Sequence, residues 1–71
     1  KKKIARIAEL GEWTAEETGQ FFQAVVKVAG KLGLSEKGYR IVINNGPDGR
    51  QEVEYLHAHI LGGQKLSTQV G

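Results

Sequence analysis

The stretch Tyr39–Gly63, YRIVINNGPDGRQEVEYLHAHILGG, decides the fold of this chain. Ile41, Val42 and Ile43 form a β-branched run that fits a pleated, half-buried surface, so residues 39–44 read as a strand. Asn45, Gly46, Pro47, Asp48 and Gly49 follow as a dense cluster of turn formers. The spacing then predicts a second, antiparallel strand over 51–61, stopped by Gly62 and Gly63. Alternate side chains of a strand face opposite ways, so Val53, Tyr55, His57, His59 and Leu61 are expected on one side. Glu52, Glu54, Leu56, Ala58 and Ile60 take the other. Same-side neighbours stand roughly 6.5–7 Å apart, twice the rise per residue. His57 and His59 are the only histidines, and this row is where chemistry would sit.

Upstream of that stretch the pattern is helical over 15–32. Phe22, Val25, Val26, Ala29 and Leu32 recur at the i, i+3, i+4 spacing of one apolar face. Thr14 and Glu17 match a capping box, in which the hydroxyl accepts from the amide three residues on and the carboxylate reaches back. Gly33 suits the left-handed residue that ends a helix. Gly19 and Gly30 weaken the helix, which is tolerated where another backbone approaches closely. Ile4, Ile7 and Leu10, spaced by threes, predict a turn or two of helix or an irregular segment resting one apolar edge on the core. Gln64 to Gly71 reads as a polar tail.

The expected fold class is α+β, with one main helix packed on antiparallel strands. One helix and one hairpin make a thin core, because a lone two-stranded hairpin is marginal in water. The chain therefore pairs with a copy of itself, or it is part of a larger domain.

Bulk properties narrow the function classes. At 71 residues the chain is at most one small domain. It has no cysteine, which excludes a disulfide framework and a cysteine-based zinc site. The formal net charge of +2 is mild; Lys1, Lys2 and Lys3 read as a solvated end in preference to a nucleic-acid arm. No apolar run approaches the ~20 residues that cross a bilayer, and no secretory signal core is present. The expectation is a soluble, cytoplasmic protein with no nucleic-acid or membrane partner and no cofactor.

Three readings of His57 and His59 stay open on spacing alone. A neutral imidazole can attack phosphorus while its neighbour, as a cation, stabilises the developing charge. A His-x-His pair can bind a metal, but needs a third ligand. Both rings can equally be structural. Asn44 sits at a strand end beside a glycine loop, where its amide and the loop amides can donate to a phosphate; the bland alternative is a turn-forming asparagine. Arg50 and Gln51 can add donors. Trp13 reads as a hydrophobic anchor at the helix start.

The order GYRIVINNG, DG, QEV and HAHILGG closely resembles the histidine triad (HIT) superfamily, in particular its Hint branch, over nearly the whole chain. That resemblance implies an α+β protein, usually a homodimer, that binds a purine nucleotide or nucleoside phosphoramidate. It also implies hydrolysis or transfer of nucleotidyl groups through a nucleotidyl-histidine. Position by position, it makes His57 the nucleophile and His59 the assisting histidine at the phosphate and leaving group. Asn44, Gly49, Gln51 and Glu52 fall on the phosphate-binding part of the pattern.

The sequence departs from that pattern in three places. Tyr55 stands where the first histidine of the triad is expected, and a phenol does not take up a proton near neutrality as imidazole does. Arg50 stands where the pattern has a second glycine. The resemblance covers only the C-terminal part of the family domain, so the expectation is a single truncated domain over 1–71, completed by dimerisation. It lacks most of the base and ribose pocket. Weak turnover follows, with a catalytically inactive dimeric module on the same scaffold as the alternative.

Overall fold

In the computed structural model, residues 3–64 are described. The first two lysines and the tail from residue 65 onward lie outside the described residues. Chain order is a 3₁₀ segment (Ile7–Glu12), helix α1 (Ala15–Lys31), strand β1 (Tyr39–Val42) and strand β2 (His59–Gly62). This is the α+β arrangement of one main helix with antiparallel strands.

The 3₁₀ segment explains the spacing by threes, since side chains three apart eclipse at three residues per turn. Its start is held by Glu9, whose carboxylate accepts from the amides of Ala5 (2.7 Å) and Arg6 (3.2 Å). Helix α1 begins on the capping box. The Glu17 amide donates to Thr14 Oγ1 at 3.0 Å, and the Thr14 amide donates to Glu17 Oε1 at 2.9 Å. Two of the amides orphaned at a helix start are thereby satisfied. At the other end the Leu34 amide donates to the Ala29 carbonyl and the Gly33 amide to that of Gly30. These two bonds with Gly33 at φ 74° make a Schellman cap, a turn that a glycine enters without a Cβ penalty.

The buried apolar residues among those described are Ile4, Val25 and Ala29. The expected apolar face of α1 is therefore covered only along its middle: Phe22, Val26 and Leu32 are exposed, as is Val28. Trp13 packs against Phe21 with ring centroids 5.7 Å apart, and Phe21 meets Phe22 edge-on at 5.2 Å. Among the described residues, and apart from the surrounding turns of α1 itself, nothing lies within 4 Å of a Cβ built at Gly19, so no close approach of another described segment demands glycine there.

Strands β1 and β2 pair antiparallel with Tyr39 opposite Gly62, Arg40 opposite Leu61, Ile41 opposite Ile60 and Val42 opposite His59. Both are shorter than the sequence suggests. The first ends at Val42, two residues early. The second starts at His59, so the strand expected over 51–61 is corrected to its last few residues.

The register gives the reason. Continuing it would set Asn44 against His57 and Gly46 against Tyr55, and Gly46 already lies in the turn at φ 72°. Among the described residues, no strand is left for residues 51–56 to pair with. They are held by the N-terminal segment instead: the Leu56 amide donates to the Ile4 carbonyl at 2.8 Å, and Gln51 Nε2 donates to the Ala5 carbonyl. A strand without a ladder has unpaired amides and carbonyls, so the chain departs from it.

Candidate functional site

The pleat of the sheet builds one wall of the site. Arg40 and Val42 on β1 lie on the same face as their partners Leu61 and His59 on β2, as side chains two apart must. All four line a cavity of about 500 Å³ together with Asn44, Asp48, Gly49 and Arg50. A second cavity of about 330 Å³ adjoins it, lined by Asn44, Arg50, Glu52, Val53, His57 and His59. Asn44, Arg50 and His59 are common to both. Volumes of this size fall at the lower end of the range for small-molecule sites.

The two imidazoles come together, although only His59 is in a strand. Their centroids are 4.9 Å apart with the rings nearly perpendicular, at 79°. That is closer than the same-face spacing of a regular strand. His57 is half-buried and His59 exposed. His57 Nδ1 lies 2.9 Å from the carbonyl oxygen of Tyr55. A carbonyl can only accept, so the proton sits on Nδ1 and the neutral ring keeps its lone pair on Nε2. The backbone contact thus fixes which nitrogen carries the lone pair.

The turn before the site is built by close backbone packing. The Arg50 amide donates to the Pro47 carbonyl and the Gln51 amide to that of Gly46, each at 3.0 Å. A Cβ at Gly49 would fall 2.8 Å from the Asn45 carbonyl oxygen and 2.9 Å from its nitrogen, so glycine alone fits. Asn45 Oδ1 accepts from the Ala8 amide at 2.9 Å, which ties the turn to the 3₁₀ segment. Arg50 has φ 63°, the left-handed region that costs an L-residue roughly 1–2 kcal/mol.

The residues singled out from sequence separate into two groups. His57, His59, Asn44, Gly49 and Glu52 line the paired cavities. Glu52 does so because the chain is not a strand there; its expected position on the side away from the histidines is corrected. Gln51 and Tyr55 are not among the lining residues. Gln51 Oε1 accepts from the Gly46 amide at 2.7 Å, and its Nε2 donates to the carbonyls of Ala5 and Val53. Its amide is a clamp across the turn. Tyr55 is 54% exposed, with Lys3 Nζ 5.5 Å from its ring centroid. Its expected place in one row with His57 and His59 is corrected for the same reason as that of Glu52, and it serves His57 through its carbonyl.

Sequence reading passed over Arg40 and Asp48 as lining residues. The alternation Arg40, Val42, Asn44 was the signal for the first. Among the described residues, no group of three His, Asp or Glu side chains is gathered to hold a metal ion. Nor is any helix among them long and apolar enough to cross a membrane.

Comparison with known proteins gives this geometry its context. The HIT domain family model matches residues 1–66. An HIT-like protein of Synechococcus elongatus is 47% identical over 68 residues, which is 92% of this chain and 59% of the relative. One from Buchnera aphidicola is 38% identical over 64 residues, 90% of this chain and 57% of its own. A 14 kDa zinc-binding protein of Zea mays is 38% identical over 71 residues, or 100% of this chain and 55% of the relative. The crystal structure of a HIT family hydrolase from Legionella pneumophila superimposes with a TM-score of 0.74 at 34% identity. That match covers 99% of this chain and 62% of the Legionella chain. The chain thus spans about half the length of the curated relatives it matches. With a family model along nearly its whole length and a solved HIT structure sharing its helix and strands, the chain belongs to the HIT family.

Proposed function

We propose that the chain binds nucleoside phosphates in the cavity between His57, His59 and Asn44, and that it hydrolyses or transfers nucleotidyl groups weakly. The observation that carries this reading is the 2.9 Å contact of His57 Nδ1 with the Tyr55 carbonyl, which leaves Nε2 as a free nucleophile beside a second imidazole. In the reaction, Nε2 attacks the phosphorus of a nucleoside phosphoramidate. A nitrogen–phosphorus bond forms as the bond to the leaving amine breaks, and the amine takes a proton from the His59 imidazolium. Water then attacks the nucleotidyl-histidine and the nitrogen–phosphorus bond breaks; the water proton passes to His59, restoring its imidazolium, and nucleoside monophosphate and the free His57 imidazole are released. Asn44 and the amides of the glycine turn donate to the phosphoryl oxygens, where charge builds up.

Binding is tested by NMR titration with AMP. Shifts are expected at Asn44, the turn over 45–50, His57 and His59. A spectrum without shifts there favours the second reading, a catalytically inactive dimeric module. The exposed Tyr55 phenol at the first triad position supports that alternative.

We also propose a homodimer, since Phe22, Val26, Val28 and Leu32 leave an apolar stretch of α1 open to solvent. Clustered apolar surface of this kind marks association. A solution mass of twice the chain is the expected result; a stable monomer with a cooperative melt contradicts it.

A further inference from the structure

We infer that the site takes a ligand with two linked phosphoryl groups, and that Arg50 selects it over a monophosphate. This deepens the nucleotide-binding reading and rests on it. Arg50 lines both cavities, and so do Asn44 and His59. The smaller cavity holds the two imidazoles and takes the phosphoryl group that His57 faces. The larger runs from the same three residues along Arg40, Val42 and Leu61, and a second phosphoryl group linked to the first enters it beside Arg50.

Two features set Arg50 apart. Its backbone is in the left-handed region at φ 63°, where glycine is favoured, so a long side chain is held at the rim against local preference. Strained residues of this sort cluster at ligand clamps. Among the described residues, its guanidinium also has no hydrogen bond or ion pair, although it is an exposed cation with its donor fork intact. That planar fork matches two phosphoryl oxygens at once, from one group or from neighbouring ones. The local charge balance allows an anion: Arg40 and Arg50 face Asp48 around the larger cavity, and Glu52 stands at the smaller one. An extra phosphoryl group therefore lands in the larger cavity, whose lining has two guanidinium groups and one carboxylate.

The test compares affinities for AMP and ADP at low and high salt in the wild type, Arg50→Gln and Arg50→Gly. Gln keeps a side chain on the strained backbone, whereas Gly relaxes that backbone. In the wild type ADP is expected to bind about tenfold more tightly than AMP, as one charge-assisted contact provides. The preference shrinks with salt, as exposed charges require. Both variants are expected to bind the two nucleotides within about twofold of each other, taking that tenfold contact away. Equal affinities in the wild type, or an ADP preference that survives in Arg50→Gln, overturn the role of Arg50 while AMP binding leaves the nucleotide reading intact. Failure of AMP and ADP alike to bind the wild type overturns both.

Discussion

Replacing His57 by alanine is expected to lower hydrolysis of adenosine phosphoramidate by about 10³-fold or more. On the proposed mechanism the lost group is the nucleophile itself. His59 is the neighbouring ring at 4.9 Å, but among the described residues it has no counterpart of the Tyr55 carbonyl that holds the His57 proton on Nδ1. His59→Ala is expected to lose less, about 10²-fold, the lower end of the range for a general acid whose place water takes. The pair acts as a unit, so the double variant is expected to fall little below His57→Ala alone. Turnover is followed as AMP release. Equal rates for wild type and His57→Ala would remove the covalent mechanism.

The second large effect is on stability. Gln51→Ala removes one hydrogen bond to the Gly46 amide and those to the Ala5 and Val53 carbonyls. A half-buried amide whose partners are left unpaired costs about 1–3 kcal/mol, and about 2–3 kcal/mol is expected here because several partners lose out together. That is a large share of the stability of a domain whose buried apolar residues, among those described, are Ile4, Val25 and Ala29. The midpoint of denaturant unfolding reads it. A midpoint unmoved by Gln51→Ala, with nucleotide affinity lost instead, would return Gln51 to the phosphate contacts that the family resemblance implies.

What could be read from sequence was local. Thr14 and Glu17 mark the helix start because a capping box is satisfied within four residues, and Gly33 marks its end for the same kind of reason. The convergence of His57 and His59 was also legible, since a spacing of two keeps side chains together in nearly any extended backbone. The strand over 51–61 was not. Val53, Tyr55 and His57 alternate with Glu52, Glu54 and Leu56 as a strand would, and only the pairing of Val42 with His59 shows that the turn uses up the partner residues. Gln51 illustrates the same limit. Its bond to Ala5 crosses 46 positions, and neither residue has a local pattern that announces it. Its type matched a phosphate ligand, whereas its surroundings make it a clamp. The shift of Glu52 into the site follows from the same broken strand.

Arg50 lies between these cases. The departure from glycine is visible in sequence, but the left-handed backbone at φ 63° and the position between two cavities are not. Together they turn an exposed arginine after a turn into a residue with a direction.

The central claim is that His57 bonds to phosphorus. Rapid acid-free quenching of wild type during turnover of adenosine phosphoramidate, followed by intact mass and peptide mapping, tests it most directly. The account predicts a mass increase of one adenylyl group on the peptide that contains His57, absent from His57→Ala and retained in Gln51→Ala molecules that remain folded. Turnover without any such adduct, or an adduct that persists in His57→Ala, would contradict it.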